Sequence, residues 1–297
     1  MKSPSKARYY FKVFILFSVF TLLFNYIASN MKAINAMNTT DQQVCIPIIM
    51  YHQVKNNNLG KDVISPFEFE SDLKYYKEHN YNTITMTQLI DYVYNDAELP
   101  PNPIILTFDD GYLSTYKNVY PLLQKYDMKI VLSIIGRSVD LFSKVVDNNL
   151  DHAHITWDQV TEMQQSGLVE IQNHSYNMHK ICNGRYGCGQ KSSESIAEYE
   201  KIIKEDVLPL QDKLQTLIAT APNTFTYPYG KFSDNTDAVL RKLGFKATLS
   251  STFGVNVIMK DSPDTLFGLK RICRAHNESP EKLIKHGMAT VKYLNKK

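Results

Sequence analysis

The sequence predicts an α/β fold, a distorted (β/α) barrel of about seven strands. Short runs of β-favouring residues alternate with segments of helical periodicity over residues 45–294, which is the pattern of βα units around a parallel sheet. Seven or eight such units in roughly 250 residues are typical of a closed or distorted barrel. A doubly wound open sheet is the alternative. The length of 297 residues suits one large domain or two small ones.

Eight strands are predicted, because runs of β-favouring residues are bounded by Pro, Gly or polar residues. They cover residues 45–50, 83–86, 104–107, 128–135, 169–172, 224–227, 247–250 and 269–274.

Seven helices are predicted from apolar residues at helical spacing. They cover residues 66–79, 87–94, 113–126, 157–166, 192–217, 236–243 and 280–294. Thr87 and Thr156 are the expected N-caps of the second and fourth helices. Pro209 is expected to break the fifth helix, because proline has no N–H to donate. Residues 137–154 are polar and are expected to form a loop.

The N-terminal segment predicts export from the cytoplasm. Four basic residues precede an apolar run over residues 13–24, which is the pattern of an export signal and is followed by enough uncharged chain to span a membrane once. We therefore expect a signal peptide or N-terminal membrane anchor over residues 1–36, with the anchor favoured, a linker over 37–44, and a globular domain over 45–297. The basic residues keep the N-terminus inside and place the rest outside.

The small net charge of +3 lies partly in the N-terminal tail, so it does not indicate a nucleic-acid partner. We expect a monomer.

The four cysteines leave the disulfide pattern open. Cys182 and Cys188 flank a turn-rich loop that could close as a small disulfide in an oxidising compartment. Cys45 and Cys273 would pair if their strands are neighbours, and two buried free thiols are the alternative.

An acidic pair follows the third predicted strand. Asp109 and Asp110 end an apolar run, and Gly111 permits a sharp exit of the chain. Adjacent carboxylates repel each other unless a cation or a shared proton intervenes, and α/β proteins place their chemistry at the carboxyl ends of strands. A plain turn is the alternative interpretation.

Two histidines follow a later strand. His174 and His179 are five residues apart, so they would diverge on a regular helix or strand and can share a ligand only from an irregular loop. Two imidazoles and a carboxylate are a common ligand set for a catalytic divalent metal, and the second carboxylate is then free to act as a base. The combination predicts a hydrolase of an ester or amide. Two surface histidines are the alternative.

Three motifs, each at a predicted strand end, resemble those of the polysaccharide deacetylases, the NodB-homology carbohydrate esterases. They are Thr107-Phe-Asp-Asp-Gly111, His174-Ser-x-x-x-His179 and Tyr227-Pro-Tyr-Gly230. The resemblance covers about residues 46–294 and implies the NodB-type distorted barrel. The stretches 50–54 and 156–160 are similar to the branch that includes poly-N-acetylglucosamine and cell-wall deacetylases.

The resemblance implies a role for each motif residue. Asp109 is the expected general base, and Asp110, His174 and His179 are the expected ligands of a metal ion, usually Zn²⁺, with Co²⁺ or Ni²⁺ as alternatives. Tyr229 is expected to offer its backbone N–H to the oxyanion, since the preceding proline has none.

The chain departs from the family pattern in two places. The arginine often found ahead of the Pro-Tyr motif is absent, and the final Leu-x-x-His motif that supplies the general acid is not plain. His276 follows the last strand and is the expected acid, while His286 has the motif spacing but lies within the last predicted helix. A third possibility is that neither of these histidines is the general acid.

Three side chains are expected to contact substrate: His52, Trp157 and Tyr227. The alternative for His52 is a histidine at the barrel rim whose hydrogen bonds are made within the protein. For Trp157, packing at the start of its helix is the favoured interpretation. Arg271 and Arg274 are expected to face opposite sides of their strand, where one orients Asp109 or both form plain salt bridges.

The resemblance implies a metal-dependent enzyme outside the cytoplasm that removes N-acetyl groups from N-acetylglucosamine in a polysaccharide. An esterase acting on O-acyl groups of a wall polysaccharide shares this chemistry and is the first alternative. A wall-carbohydrate-binding protein without catalysis is the second.

Overall fold

The computed structural model of the chain describes residues 43–294. The described residues from Cys45 onward belong to one compact unit. The predicted signal or anchor over residues 1–36 lies outside the described residues, as does most of the linker. Within residues 43–294, no helix has the length and apolar character needed to cross a bilayer.

Fourteen strands lie within the described residues. In chain order they are β1 (Gln43–Ile46), β2 (Ile48–Tyr51), β3 (Gln53–Val54), β4 (Val63–Ile64), β5 (Asn82–Thr83), β6 (Pro103–Phe108), β7 (Ile130–Ile134), β8 (Val169–Asn173), β9 (Ile181–Cys182), β10 (Arg185–Tyr186), β11 (Thr224–Thr226), β12 (Ala247–Phe253), β13 (Asn256–Met259) and β14 (Leu269–Cys273).

Eight α-helices lie in the same part of the chain. They are α1 (Pro66–Glu78), α2 (Met86–Tyr94), α3 (Tyr120–Tyr126), α4 (Gly136–Lys144), α5 (Trp157–Gln165), α6 (Ile196–Ile218), α7 (Thr236–Lys242) and α8 (Pro280–Leu294). A π-helical segment, Thr115–Val119, precedes α3, and short 3-10 helices cover Pro228–Gly230 and Pro263–Leu266.

Seven of the described strands close into a parallel barrel. Their order is β2-β14-β12-β11-β8-β7-β6, and β2 also pairs with β6, with Ile49 opposite Leu106. Every pairing around the ring is parallel, and β5 adds to β6 from outside the ring. This closure confirms the predicted distorted (β/α) barrel and excludes the open sheet.

The apolar strands are buried on both faces, as parallel strands covered by helices must be. In β6, the side chains of Ile104, Leu106 and Phe108 pack into the main core with residues of the surrounding helices. The intervening side chains point the other way, into the barrel. There Thr107 accepts a hydrogen bond from Arg271, at 3.2 Å. The barrel interior therefore carries polar groups beneath the carboxyl ends of the strands.

Capping boxes start four of the described helices, α1, α2, α5 and α6. Thr156 caps α5 as predicted. The expected cap of α2 at Thr87 is wrong, because the cap is Thr85, whose side chain accepts from the N–H of Gln88. The N–H of Thr87 is donated instead to the carboxylate of Glu170.

Two helical expectations need correction. Residues 137–154 are not all loop, since α4 occupies the first part, and the polar side chain of Asp140 accepts hydrogen bonds from Trp157 and Lys213. Helix α6 continues through Pro209 without a break. Contacts distant in sequence therefore override the local preference for a loop in the first case.

The cysteines form no disulfide within residues 43–294. Cys182 is exposed, while Cys188 is buried and donates from its Sγ to the carbonyl of Lys231, at 3.0 Å. Cys45 and Cys273 are half-buried free thiols.

Glu68 couples the start of α1 to the segment after β14. Its carboxylate completes the capping box with Ser65 and accepts the backbone N–H of Asn277, at 2.9 Å, while the ring of His276 lies 2.9 Å away. Burial alone would raise the pKa of Glu68, but the backbone N–H groups of Ser65 and Asn277 and the side chain of His276 lower it to about 2.

We expect Glu68→Gln to destabilise the fold at pH 7 by about 1 kcal/mol. The folded-state pKa lies below the unfolded value, so this stabilisation is present above about pH 4.5 and is lost as the pH falls toward 2. Urea unfolding of both proteins at pH 7, 4 and 3 measures the difference. Glu198→Gln removes a capping-box carboxylate that is exposed and is the control, with a smaller expected effect. A difference that grows on acidification contradicts the account.

Candidate active site

The predicted site residues gather at the carboxyl ends of the barrel strands. Asp109 and Asp110 follow β6, His174 follows β8, Tyr229 follows β11 and His52 follows β2. All five line one cleft of about 410 Å³. This end of a parallel barrel is where loops from several strands can converge on one ligand.

Asp110, His174 and His179 form a compact cluster. The Nε2 atoms of both rings lie 3.3 Å from Oδ1 of Asp110, and the ligand atoms of the three residues all lie within 4.8 Å of one another. Oδ1 of Asp110 is buried and has no hydrogen-bond partner. Such an orphaned carboxylate oxygen is costly unless a cation or a donor satisfies it.

The hydrogen bond made by His174 shows why a cation fits the cluster. Its Nδ1 lies 2.8 Å from the carbonyl of Thr226, so Nδ1 carries the proton in the neutral ring and Nε2 presents a lone pair toward Asp110. A backbone carbonyl that holds the far nitrogen in this way is typical of metal-ligating histidines. The residues present therefore fit a divalent metal ion.

The pKa shifts of His179 and Asp110 favour the forms that bind a metal ion, a neutral imidazole and an ionised carboxylate, whereas the pKa shift of His174 favours its protonated form. Burial and the neighbouring His174 lower the pKa of His179 to about 4, which keeps it neutral at pH 7. Burial raises the pKa of Asp110, but the contact with His174 brings it well below its usual range. Burial lowers the pKa of His174, yet the carboxylates of Asp110 and Asp109 raise it on balance.

An irregular loop brings the two histidines together, as the five-residue spacing predicts. Ser175 has a left-handed backbone with φ of 73°. The carboxylate of Asp206 accepts the N–H groups of Tyr176 and Asn177, both at 2.9 Å. The hydroxyl of Tyr176 also donates to Asp140, at 2.8 Å. These bonds fix the chain between the two rings.

Asp109 is held by Arg271. The guanidinium donates to both carboxylate oxygens at 2.8 Å, and the arginine is only 2% exposed. Burial alone would raise the pKa of Asp109, but the charge of Arg271 lowers it below its usual range. Arg274 directly follows β14 and donates to both carboxylate oxygens of Asp72, at 2.7 and 2.9 Å. Of the two predicted orienting arginines, Arg271 is therefore the one that contacts Asp109.

Tyr229 lies in a turn with an unusual backbone. Its φ is 58°, in the left-handed region, which is rare for an aromatic residue. It is the second residue of a 3-10 helix, and the first N–H groups of a helix have no partner within it. Asp110 and Ser175 are also left-handed, so three strained residues surround the cleft. Clustering of this kind is typical of functional sites.

His52 is the third histidine of the cleft. Its Nε2 lies 4.0 Å from Oδ2 of Asp109, and its Nδ1 lies 3.9 Å from Asp62. His276, the expected general acid, is not among the residues that line this cleft. The N–H of His276 is donated to Gly60, and its ring turns toward Glu68 at the start of α1. His286 lies in α8, as expected, with its ring against Phe253.

Trp157 and Tyr227 do not offer their polar groups to the cleft. The Nε1 of Trp157 donates to Asp140, at 2.8 Å, and Trp157 is not among the residues that line the cleft. Tyr227 borders the cleft, but its hydroxyl is bonded to Asp237 and Thr248.

The lining residues that were not singled out from the sequence include Lys61, Asp62, Tyr112, Tyr186 and Ser251. Tyr112 directly follows the Asp-Asp-Gly motif, and this position could have indicated from the sequence that it lines the cleft. Tyr186 lies in the β9–β10 hairpin, whose strands of two residues are too short to be predicted.

The comparisons with known proteins agree with this geometry. The family of polysaccharide deacetylases matches residues 96–248, slightly more than half of the chain. The chain belongs to this family.

The matches to individual relatives have low sequence identity but cover about two thirds of this chain. The chain is 26% identical over 236 residues to a poly-β-1,6-N-acetyl-D-glucosamine N-deacetylase of Escherichia coli K12, covering 70% of this chain and 35% of that protein. It therefore spans about a third of that relative's length. A protein of the same name from Staphylococcus aureus MRSA252 is 29% identical over 210 residues, covering 66% and 68%.

A solved structure shares the fold. The Streptococcus pyogenes deacetylase PplD, in complex with acetate, is 25% identical and superposes with a TM-score of 0.64, covering 82% of this chain and 98% of that one.

We expect His174→Gln to reduce the affinity of the protein for Zn²⁺ by at least about 100-fold, because the ligand set loses one imidazole nitrogen. Zinc binding measured by competition with a chromophoric chelator gives the affinity directly. His276→Gln is the control, since that ring contacts Glu68 away from the cluster. Equal affinities for His174→Gln and the parent protein would rule out this ligand.

Arg271→Met is expected to destabilise the fold by about 3–5 kcal/mol, because it leaves the buried carboxylate of Asp109 without its partner. Adding Asp109→Asn to this variant removes the uncompensated charge and is expected to restore part of the loss. Urea unfolding at pH 7 measures both. Arg241→Met is the control, since Arg241 pairs with an exposed aspartate, and such pairs contribute about 0–1 kcal/mol. A double variant less stable than Arg271→Met contradicts this explanation.

Proposed function

We propose that this protein is a metal-dependent hydrolase that removes N-acetyl groups from a polymer of N-acetylglucosamine. The observation that carries the proposal is the placement of the buried, ionised carboxylate of Asp109 directly beside the cluster of Asp110, His174 and His179. Membership of the polysaccharide deacetylase family supports it. The named activity of the Escherichia coli and Staphylococcus aureus relatives supports this polymer as the substrate.

The metal site is the first part of the proposal. A Zn²⁺ ion held by Asp110, His174 and His179 would polarise the acetamide carbonyl and lower the pKa of water at the site toward neutrality. Co²⁺ and Ni²⁺ suit the same mixed nitrogen and oxygen ligands and are the alternatives.

Asp109 is the general base in this proposal. Arg271 keeps its carboxylate ionised and fixes its position through two charge-assisted hydrogen bonds. Each oxygen of an ionised carboxylate can accept more than one hydrogen bond, so Asp109 can still take a proton from a water molecule that attacks the acetamide carbon.

The backbone N–H of Tyr229 is the proposed donor to the oxygen of the tetrahedral intermediate. Its left-handed backbone holds this N–H in a fixed orientation after β11. Donors that are fixed in advance stabilise developing charge more than ground-state contacts do.

His52 is the proposed general acid. Among the histidines that line the cleft, it is the one outside the metal cluster. Its Nε2 lies 4.0 Å from Oδ2 of Asp109, so this nitrogen is on the side of the proposed reacting groups. In this role it gives a proton to the nitrogen of the departing sugar amine, which completes the cleavage of the amide.

We also propose that the enzyme works outside the cytoplasm as a monomer, attached through the segment over residues 1–36 or released from it. The support for this is the pattern of basic and apolar residues in that segment.

Acetate release from N-acetylglucosamine oligomers tests the reaction. We expect activity that a chelator abolishes and Zn²⁺ restores, and a loss of about 10³-fold or more in kcat for Asp109→Asn. A panel of O-acetylated polysaccharides run in parallel measures the esterase alternative. Activity that survives both chelation and Asp109→Asn overturns the mechanism, and binding without turnover under any of the three metals overturns the enzyme assignment.

Paired histidine variants test the general acid. We expect His52→Gln to lower kcat by about 10²–10⁴-fold, whereas His276→Gln should change it by less than about twofold, because that ring contacts Glu68 outside the cleft. The opposite pattern, with kcat lowered in His276→Gln and unchanged in His52→Gln, would identify His276 as the general acid.

A further inference from the structure

We propose that Tyr186 and Tyr229 form a sugar-binding subsite, in which their aromatic faces stack on the pyranose ring next to the unit that is deacetylated. This inference rests on the proposed function and adds to it the residues that recognise a polymer rather than a single sugar. We call the two side chains the tyrosine pair.

The tyrosine pair leads from the metal cluster to the rim of the cleft. The ring of Tyr229 lies 4.1 Å from that of His179, and the ring of Tyr186 lies a further 4.9 Å from that of Tyr229. Both tyrosines line the cleft that contains Asp109 and Asp110. The side chain of Tyr229 is 40% exposed and that of Tyr186 is 42% exposed. An aromatic surface therefore begins beside the reacting groups and remains open to a ligand.

The hairpin that carries Tyr186 is fixed against the turn that carries Tyr229. Gly187 has φ of 59°, and a Cβ at this position would lie 2.5 Å from the carbonyl oxygen of Pro228. The Sγ of Cys188 donates to the carbonyl of Lys231, at 3.0 Å. The two tyrosines are thus held in place before any ligand arrives, which lowers the entropy cost of binding.

The chemistry of the surface suits a pyranose ring. Tyrosine offers a large and rather rigid face for apolar contact and a hydroxyl for hydrogen bonds. The Nζ of Lys231 lies 5.4 Å from the centroid of the Tyr186 ring and adds a donor for sugar oxygens. A neighbouring sugar that stacks here would hold the reacting acetamide in the cleft, and affinity would then rise with oligomer length.

Binding measurements on a full-length variant that cannot hydrolyse the ligand test the subsite. In an Asp109→Asn background, calorimetry measures the affinities for N-acetylglucosamine and for its pentamer. We expect Tyr186→Ala to lower the ratio of pentamer to monosaccharide affinity about fivefold to tenfold. Tyr186→Phe keeps the ring and should retain the ratio within about twofold. Phe67→Ala removes an exposed aromatic ring of α1 outside the cleft and is the control.

Each outcome separates the subsite from the reaction. An unchanged ratio in Tyr186→Ala, or an equal loss in Tyr186→Phe, overturns ring stacking even if the parent protein releases acetate. A reduced ratio in Tyr186→Ala alone supports the subsite even if no acetate is released, in which case the proposed reaction is the part that fails. Thermal unfolding of each variant shows whether a loss of binding comes from misfolding. If Tyr186→Ala is misfolded, the affinity ratio of Tyr186→Phe decides whether the ring is needed.

Discussion

The ion pair between Arg271 and Asp109 is the interaction on which the site depends. The guanidinium lies inside the barrel and donates to the carbonyl of Ser250 and the hydroxyl of Thr107 as well as to both oxygens of Asp109. It therefore connects β14, β12 and the end of β6. A buried pair of this kind adds little net stability, but the loss of one partner is costly. The barrel can hold the ionised carboxylate of Asp109 beside the cluster of Asp110, His174 and His179 because the guanidinium of Arg271 is enclosed with it.

The loops around the cleft are fixed by polar contacts rather than by apolar packing. Asp206 and Asp140 accept hydrogen bonds from the segment between His174 and His179 and hold it in place. Three left-handed residues orient the carboxylate of Asp110, the histidine loop and the Tyr229 turn. Such strain persists only where the surroundings determine the conformation. The rigidity of the site therefore comes from these polar contacts and from the constrained backbone around the cleft.

The barrel and the cluster of Asp110, His174 and His179 follow from local features of the sequence. Strands such as β6 are apolar on both faces and end in charged motifs, so their type and the position of the site were predictable. The placement of His276 was not, because it depends on Glu68, 208 residues away in the sequence. For α4, the deciding partners of Asp140 are likewise distant in sequence. The β9–β10 hairpin has strands too short to leave a periodic pattern.

The close approach of Gly187 to Pro228 fixes the spacing between the β9–β10 hairpin and the turn that carries Tyr229, because a side chain at Gly187 would clash with the Pro228 carbonyl. Arg185 holds the same hairpin through its bonds to Gly189 and Glu194. The exposed positions Ile181 and Tyr186 make no such contribution to the spacing. Natural variants or engineered libraries confined to these two positions would alter the surface that the hairpin presents while leaving the Asp110, His174 and His179 cluster in place.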